Sequence, residues 1–366
     1  SKVPTSRKSL WVYNKSGDGI RCTNVRLENG ERSGFRINVD GTYLSKESGF
    51  QTTDVEIRNK DSIFVNIELT SPRNNKIGPV FMEDNLVFTL ESGVEQKINL
   101  NAYSWDADIV KNLRIKGDTV ISSDRPIVIY GDMRIDSSAT ARIVPGTTLY
   151  FHSGAKLDVY GRLLAEGTAD KNITFRGDRT DRMFDYLPYD MVSGQWNGIH
   201  FHSSSYENIM SYTDTHSTFN GIVCDSSDVS KLKLALYNST VHNCQGYGLK
   251  TVNSVVDVRN SQLTNTLNDC VAIYGGGAML LNCTIAQFYP FDSNRGAALR
   301  FSNGITDESG KHDYPLYQMD CINSIVTGYA DDVVMGVVQD STVAYSYKFV
   351  NSILRTDSLD DSEKIK

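Results

Sequence analysis

The sequence predicts an all-β chain: an N-terminal antiparallel β-sandwich over residues 1–105, then a parallel β-helix over 106–366. Three observations predict it. The first hundred residues alternate apolar and polar positions, with turn signals about every ten residues. The remainder repeats short apolar phrases 22 to 34 residues apart. No stretch carries helical periodicity over a useful length.

In the first part, "DSIFVNIELT" sets Ile63, Val65, Ile67 and Leu69 on one side of a strand. "DNLVFTLESGVEQKINLNAY" reads as two strands joined at Glu91-Ser92-Gly93, and "SLWVYN", "IRCTNVRLENG" and "GFRINVDG" add three more. After "AYSWDADIVKNLRI" the grammar changes. Tyr130-Gly131 returns as Tyr160-Gly161, and "NGIHF", "NGIVC", "YGLKT", "DCVAI", "AALRF" and "DDVVM" echo one another. Aligned on Ile199, Ile222, Leu249, Val271, Leu299 and Val333, they step by 23, 27, 22, 28 and 34 residues. Repeats of that period made only of short strands indicate a coil stack with three strands per turn.

A second series runs "LYNST", "VRNSQ", "LLNCT", with Asn238, Asn260, Asn282, Asn323 and Asn351 stepping by 22, 22, 41 and 28. Asn tolerates the left-handed backbone region, and its amide can bond a neighbour one rung away. The Asn is therefore read as a bend recurring in each coil, and the sequons at Asn238 and Asn282 follow from it. The step of 41 contains an insertion, "NGITDESGKHDYPLY", loop-like by composition.

A net charge of −7 argues against a nucleic-acid partner and mildly disfavours polyanionic substrates, although a local basic patch could override the total. No run of 18 apolar residues spans a membrane, and no leader stands at Ser1, so the chain reads as a mature or trimmed product. The tail "DSLDDSEKIK" reads as a solvated end. Six cysteines, Cys22, Cys224, Cys244, Cys270, Cys283 and Cys321, form no CxxC pair and read as small buried hydrophobes, with a disulfide between two of them the alternative in an exported protein.

The phrases "QKINLNAYSWDA", "PIVIYGDMRID", "VPGTTLYFHSGAKLDVYGRLLAEGT" and "NITFRGDRTDRMFDYLPYDMVSGQWNGIHF" together resemble a set of Bacteroidetes cell-envelope proteins. In these an immunoglobulin-like sandwich precedes a right-handed parallel β-helix of pectin-lyase-like type. The resemblance covers about Phe35 to Val333. It implies a cell-surface, extracellular or periplasmic location with a lipid anchor upstream, and no particular reaction. The sandwich is expected to cover the open end of the first coil.

Chemistry is sought first in the polar stretch Arg176–Gly198, which interrupts the coil rhythm. Asp178, Arg179, Asp181, Asp185, Tyr186, Tyr189, Asp190 and Trp196 are the candidate ligand-binding residues. Aromatic faces stack on sugar rings while carboxylates and Arg reach hydroxyls. Calcium is the one cofactor considered, but carboxylate spacings of 3, 4 and 5 match no calcium loop. No catalytic motif is assembled: "RIK" at Arg114 stands before the first expected coil, Asp331-Asp332 reads as a strand entrance, and His152, His200 and His202 read as surface residues. Three functions fit. The leading one is a non-catalytic envelope or secreted protein that binds glycan or another surface partner. The alternative is a polysaccharide lyase or glycoside hydrolase. The third is a spacer or adhesin stalk. A cleft with two carboxylates about 5 to 10 Å apart, one with a raised pKa, would mark the second.

Overall fold

The computed structural model describes residues 5, 7–73, 75, 78–122, 124–308 and 310–357, so the predicted solvated tail from Ser358 on lies outside the described residues. The chain divides into two compact units, residues 1–107 and 108–366.

The first unit holds two four-stranded antiparallel sheets. One orders Lys8–Tyr13, Ser62–Leu69, Phe35–Val39 and Thr42–Tyr43; the other orders Gln51–Ile57, Ile20–Leu27, Val80–Leu90 and Glu95–Ser104. Alternation in Ser62–Leu69 buries Ile63, Val65 and Leu69 in a cluster with Val25, Ile37 and Leu86, so both sheets close on one core. Val80–Leu90 and Glu95–Ser104 pair across the turn at Gly93, as the sequence predicts.

The second unit is a parallel β-helix. Its first sheet, sheet I, stacks Leu157–Val159, Ile199–Phe201, Ile222–Cys224, the start of Leu249–Arg259, the start of Val271–Leu281, Leu299–Ser302 and Val334–Val337. Sheet II includes Arg162–Glu166, Asn208–Ser211 and Leu232–Tyr237, then the second halves of the two long strands. Sheet III includes Thr148–Phe151, Ile173–Gly177, Thr213–His216, Thr240–Cys244, Gln262–Thr266 and Thr284–Gln287.

Register confirms the repeat. Ile199, Ile222, Leu249, Val271 and Leu299 are successive partners, all buried. The next partner is Val334, one residue beyond the expected Val333, which is also buried but leads into the strand. At rung spacing each fully buried aliphatic contributes roughly 1.5–3 kcal/mol of transfer free energy. The residue before Ile199 is Gly198, with φ +88°, and a Cβ there would meet Asn220 O at 1.6 Å. The "NG" of the echo is thus a place where one coil's backbone touches the next.

The Asn series lies where sheet II bends into sheet III. Asn238, Asn260, Asn282, Asn323 and Asn351 all hold φ between 50° and 55°. Asn260 Nδ2 donates to Asn238 Oδ1 at 3.2 Å, and Asn282 Nδ2 donates to Asn260 Oδ1 at 3.1 Å. All six cysteines are buried and free. Two expectations are corrected. The insertion after Asn303 is a hairpin, Gly304–Asp307 with Gly310–Asp313, because Ile305 pairs His312 in regular antiparallel register. Arg114 is part of the coil stack, because Asp108–Ile115 pairs in parallel with Ile127–Ile135 and sets Arg114 beside Arg134.

Candidate functional site

Residues one place after each stacked aliphatic of sheet I point outward. Read by register, that column is Arg114, Arg134, Asp158, His200, Val223, Lys250, Ala272, Arg300 and Met335. In a chain of net charge −7 it is conspicuously cationic.

Its centre is a histidine–carboxylate cluster. His200 and His202 flank the inward Phe201 and leave the same face of the strand. Asp158 comes from the rung before and Asp225 from the rung after. His202 Nε2 lies 2.8 Å from Asp158 Oδ1, His200 Nε2 lies 2.7 Å from Asp225 Oδ1, and His202 Nδ1 lies 3.4 Å from Asp225 Oδ2. Tyr160 fixes the His202 ring by stacking at 3.9 Å and 2°. Lys156 Nζ holds the other oxygen of buried Asp158 at 2.9 Å. Burial works to raise the Asp158 pKa, but hydrogen bonds from His202 and Lys156 outweigh it and hold the carboxyl below its ordinary value. Asp225 is depressed in the same way, its burial outweighed by the hydrogen bond from His200. Lys233 is fully buried beneath, where its Nζ donates to the His202 carbonyl at 2.7 Å and burial pulls its pKa down.

Two rungs along the same column, roughly 10 Å away at strand spacing, a cleft of about 530 Å³ opens. Tyr247, Lys250, Asp269, Tyr274 and Arg300 line it, and Ile305 and Thr306 of the inserted hairpin form part of its wall. The Lys250 ammonium lies 5.2 Å from the Tyr247 ring centre and 5.9 Å from that of Tyr274. Among the described residues no carboxylate stands within ion-pair reach of it. Arg300 Nε, by contrast, is tied to Asp269 Oδ2 at 2.7 Å, and Asp269 Oδ1 accepts the Ala297 N–H at 2.7 Å. Burial, with help from Tyr247 and Asp269, pushes the Tyr274 hydroxyl pKa up. The cleft therefore presents two aromatic faces and one uncommitted cation.

A second histidine cluster stands on sheet III. Asp214 Oδ1 lies 2.9 Å from His216 Nδ1 and 3.2 Å from His242 Nε2. Asp190 from the polar stretch reaches this cluster, with Oδ1 3.6 Å from His216 Nε2 and Oδ2 accepting from Arg176 at 3.0 Å. Burial opposes charge on both partners, yet the opposite charges packed against them win. Asp214 titrates well below the usual carboxylate range, held there by His216 and His242, and His216 titrates above the usual imidazole range, held there by Asp190 and Asp214.

The eight predicted residues separate into different surroundings. Asp178 Oδ2 meets His152 Nδ1 at 2.7 Å. Arg179 forks onto Asp181 with two contacts of 2.7 Å and lies 3.8 Å over the Tyr189 ring. Asp185 offers its backbone carbonyl to Arg182, and Tyr186, 80% exposed, stacks on exposed Phe184 at 5.6 Å. Trp196 is corrected: it is 1% exposed, stacks on Phe151 at 4.1 Å and donates from Nε1 to the His216 carbonyl at 2.9 Å. Its large ring fills the coil interior and is out of reach of a ligand. His200 and His202, read as plain surface residues, are the centre of the sheet I cluster. The missed signal was the repeat itself, since the residue after each stacked aliphatic forms one outward column.

No family model and no curated protein matches the chain. Among solved structures, a periplasmic alginate epimerase, AlgG, is similar over 69% of this chain and 74% of its own, at 14% identity and a TM-score of 0.34. The catalytic unit of a thermostable GH87 α-1,3-glucanase from Streptomyces thermodiastaticus covers 94% of this chain and 76% of its own, at 11% identity and 0.31. A Family 28 exopolygalacturonase of Yersinia enterocolitica covers 95% and 86%, at 10% identity and 0.31. The fold rests on this chain's own strand register rather than on these likenesses. No helix among the described residues is long and apolar enough to cross a membrane.

Proposed function

We propose that the outward column of sheet I binds a carboxylated polysaccharide and cleaves it by acid–base chemistry, which makes the chain a polysaccharide lyase or glycoside hydrolase. The observation that carries this reading is Lys250, a cation without an ion-pair partner among the described residues, set between two tyrosine rings in a cleft. An aromatic ring takes the face of a sugar, and an ammonium takes its carboxylate. An extended sugar chain lying along the ladder meets the histidine cluster two rungs on. There His200 and His202 are the proton-transfer groups. Asp158 and Asp225 hold their rings in place, the orienting role a carboxylate plays beside a catalytic imidazole.

The acid–base cluster favours this enzymatic alternative over binding alone. One observation favours binding without turnover: the exposed Phe184–Tyr186 stack on the polar stretch offers an aromatic platform. The same proposal takes in the finer expectations of a right-handed winding, an immunoglobulin-like first unit and an extracellular, periplasmic or lipid-anchored setting.

The test is a panel of uronate-containing and neutral polysaccharides, scored for retention and for reducing-end or unsaturated product. The proposal expects product from a uronate-containing member, a loss of about 100-fold or more in kcat for His202→Ala, and weakened retention for Lys250→Met. Retention with no product from any member would leave only the binding reading. Retention that survives Lys250→Met but fails in Tyr186→Ala would move the site to the polar stretch.

A further inference from the structure

The second histidine cluster faces out from sheet III, and what it supports does not depend on the reading of sheet I. Asp214 and His216 are two residues apart on one strand, so both side chains leave the same face. His242 stands on the next rung in register with His216. One donor atom from each of the three lies within 4.8 Å of the others. Asp214 Oδ1 is already close to both imidazoles, at 2.9 and 3.2 Å. The far nitrogen of His216 supplies an independent observation. Nε2 is buried and has no hydrogen-bond partner among the described residues, and the His216 side chain is only 8% exposed. It points toward Asp190 Oδ1 at 3.6 Å, just beyond hydrogen-bond reach, and Arg176 anchors that carboxylate. A histidine that binds a metal through one nitrogen generally gives the N–H of the other to a carboxylate, which fixes the ring and strengthens the ligand. Asp190 stands where that outer partner belongs.

We propose that Asp214, His216 and His242 bind one divalent first-row transition ion of the zinc class, through the Asp214 carboxylate, His216 Nδ1 and His242 Nε2, with Asp190 as the outer carboxylate. Two imidazoles and one carboxylate suit zinc and its neighbours. Calcium is a poor fit, since it takes six to eight oxygen ligands. Three protein ligands leave at least one position for water or another donor. The ion replaces the protons that His216 Nδ1 and His242 Nε2 hold toward Asp214: a charged imidazolium gives its proton to solvent and a neutral ring moves it to its other nitrogen, which in His216 is Nε2, facing Asp190. Sequence spacing hides the set because His242 lies 26 residues after His216 and joins it only through the rung register.

The experiment titrates the full chain with zinc chloride by calorimetry and, separately, with cobalt(II) followed by its visible spectrum. One Zn²⁺ per chain is expected, with an intense visible band for the four-coordinate Co²⁺ form. His242→Ala and the shape-preserving Asp214→Asn should each weaken zinc binding by 100-fold or more and abolish the cobalt band. Asp190→Asn should weaken it by about 10–100-fold, the range of an outer-sphere partner. His202→Ala, on sheet I, should leave it unchanged. A wild-type chain that binds no zinc overturns the proposal. So does binding that survives in Asp214→Asn or is lost in His202→Ala, since the ion would then sit elsewhere. If His242→Ala fails to fold, as read by its melting curve, Asp214→Asn decides.

Discussion

Two histidine clusters stand on two sheets of one coil stack, built from the same residue types at the same i, i+2 spacing. On sheet I the two histidines share a strand, and their carboxylates come from the rungs on either side. On sheet III one aspartate and one histidine share the strand, the second histidine stands a rung away, and Asp190 reaches in from the polar stretch. His216 is buried as a result, whereas the sheet I column is continuous with an open cleft. Strand spacing decides which side chains can meet. The segments between strands decide whether solvent and ligands reach them. Both sets of donor atoms converge within 4.8 Å, so it is the exposure of sheet I and the Asp190 cover of sheet III that lead us to propose proton transfer for one and a held ion for the other.

Both clusters depend on the coils staying in register, so the largest expected effect comes from breaking the core. Leu249→Ala removes a buried side chain stacked between Ile222 and Val271 and should cost about 2–5 kcal/mol of unfolding free energy in denaturant titration. A cost below 1 kcal/mol would mean that the coils do not stack tightly there. Asn260→Ala should cost about 1–3 kcal/mol, from replacing an Asn that tolerates the left-handed region with a residue that does not and from losing the amide bonds to Asn238 and Asn282. Asn260→Gly removes only the second part and should cost less.

Acid pH sharpens the contrast more gently. Asp158 and Asp225 are depressed in the folded chain, so their contribution to stability is present above the ordinary carboxylate pKa and is lost as pH falls through the folded values. Melting temperature followed from neutral to acid pH should fall, and the fall should be shallower in Asp158→Asn. An unchanged slope would mean that His202 and Lys156 do not stabilise the charged carboxylate. The smallest effect is an expected silence. Burial pushes the thiols of Cys224, Cys244 and Cys270 up to about 12, so iodoacetamide at pH 8 should leave them unmodified in the folded chain and label them once it is unfolded.

Much of this architecture was legible in the residues. Ile199 to Leu299 announced the stack, because an inward position must recur once per coil. The Asn series announced the bend, because few other residues tolerate its backbone. What stayed hidden was lateral. Arg114 looked isolated because its strand is contiguous in sequence with the first unit's last phrases. His200 and His202 looked like single surface residues because Asp158 and Asp225 lie 42 and 25 positions from His200 and become neighbours only through register. Trp196 looked like a platform within a polar stretch, but the chain turns inward there and stacks it on Phe151. Composition identifies a polar stretch; it does not tell which of its rings faces the core.

The most direct test of the sheet I reading is amide hydrogen exchange, with and without a uronate oligosaccharide at saturating concentration. Slowed exchange is expected in Ile199–Phe201, the start of Leu249–Arg259, the start of Val271–Leu281 and the hairpin after Asn303, with sheet III and the first unit unchanged. Protection confined to the Arg176–Gly198 stretch, or none anywhere, would contradict it.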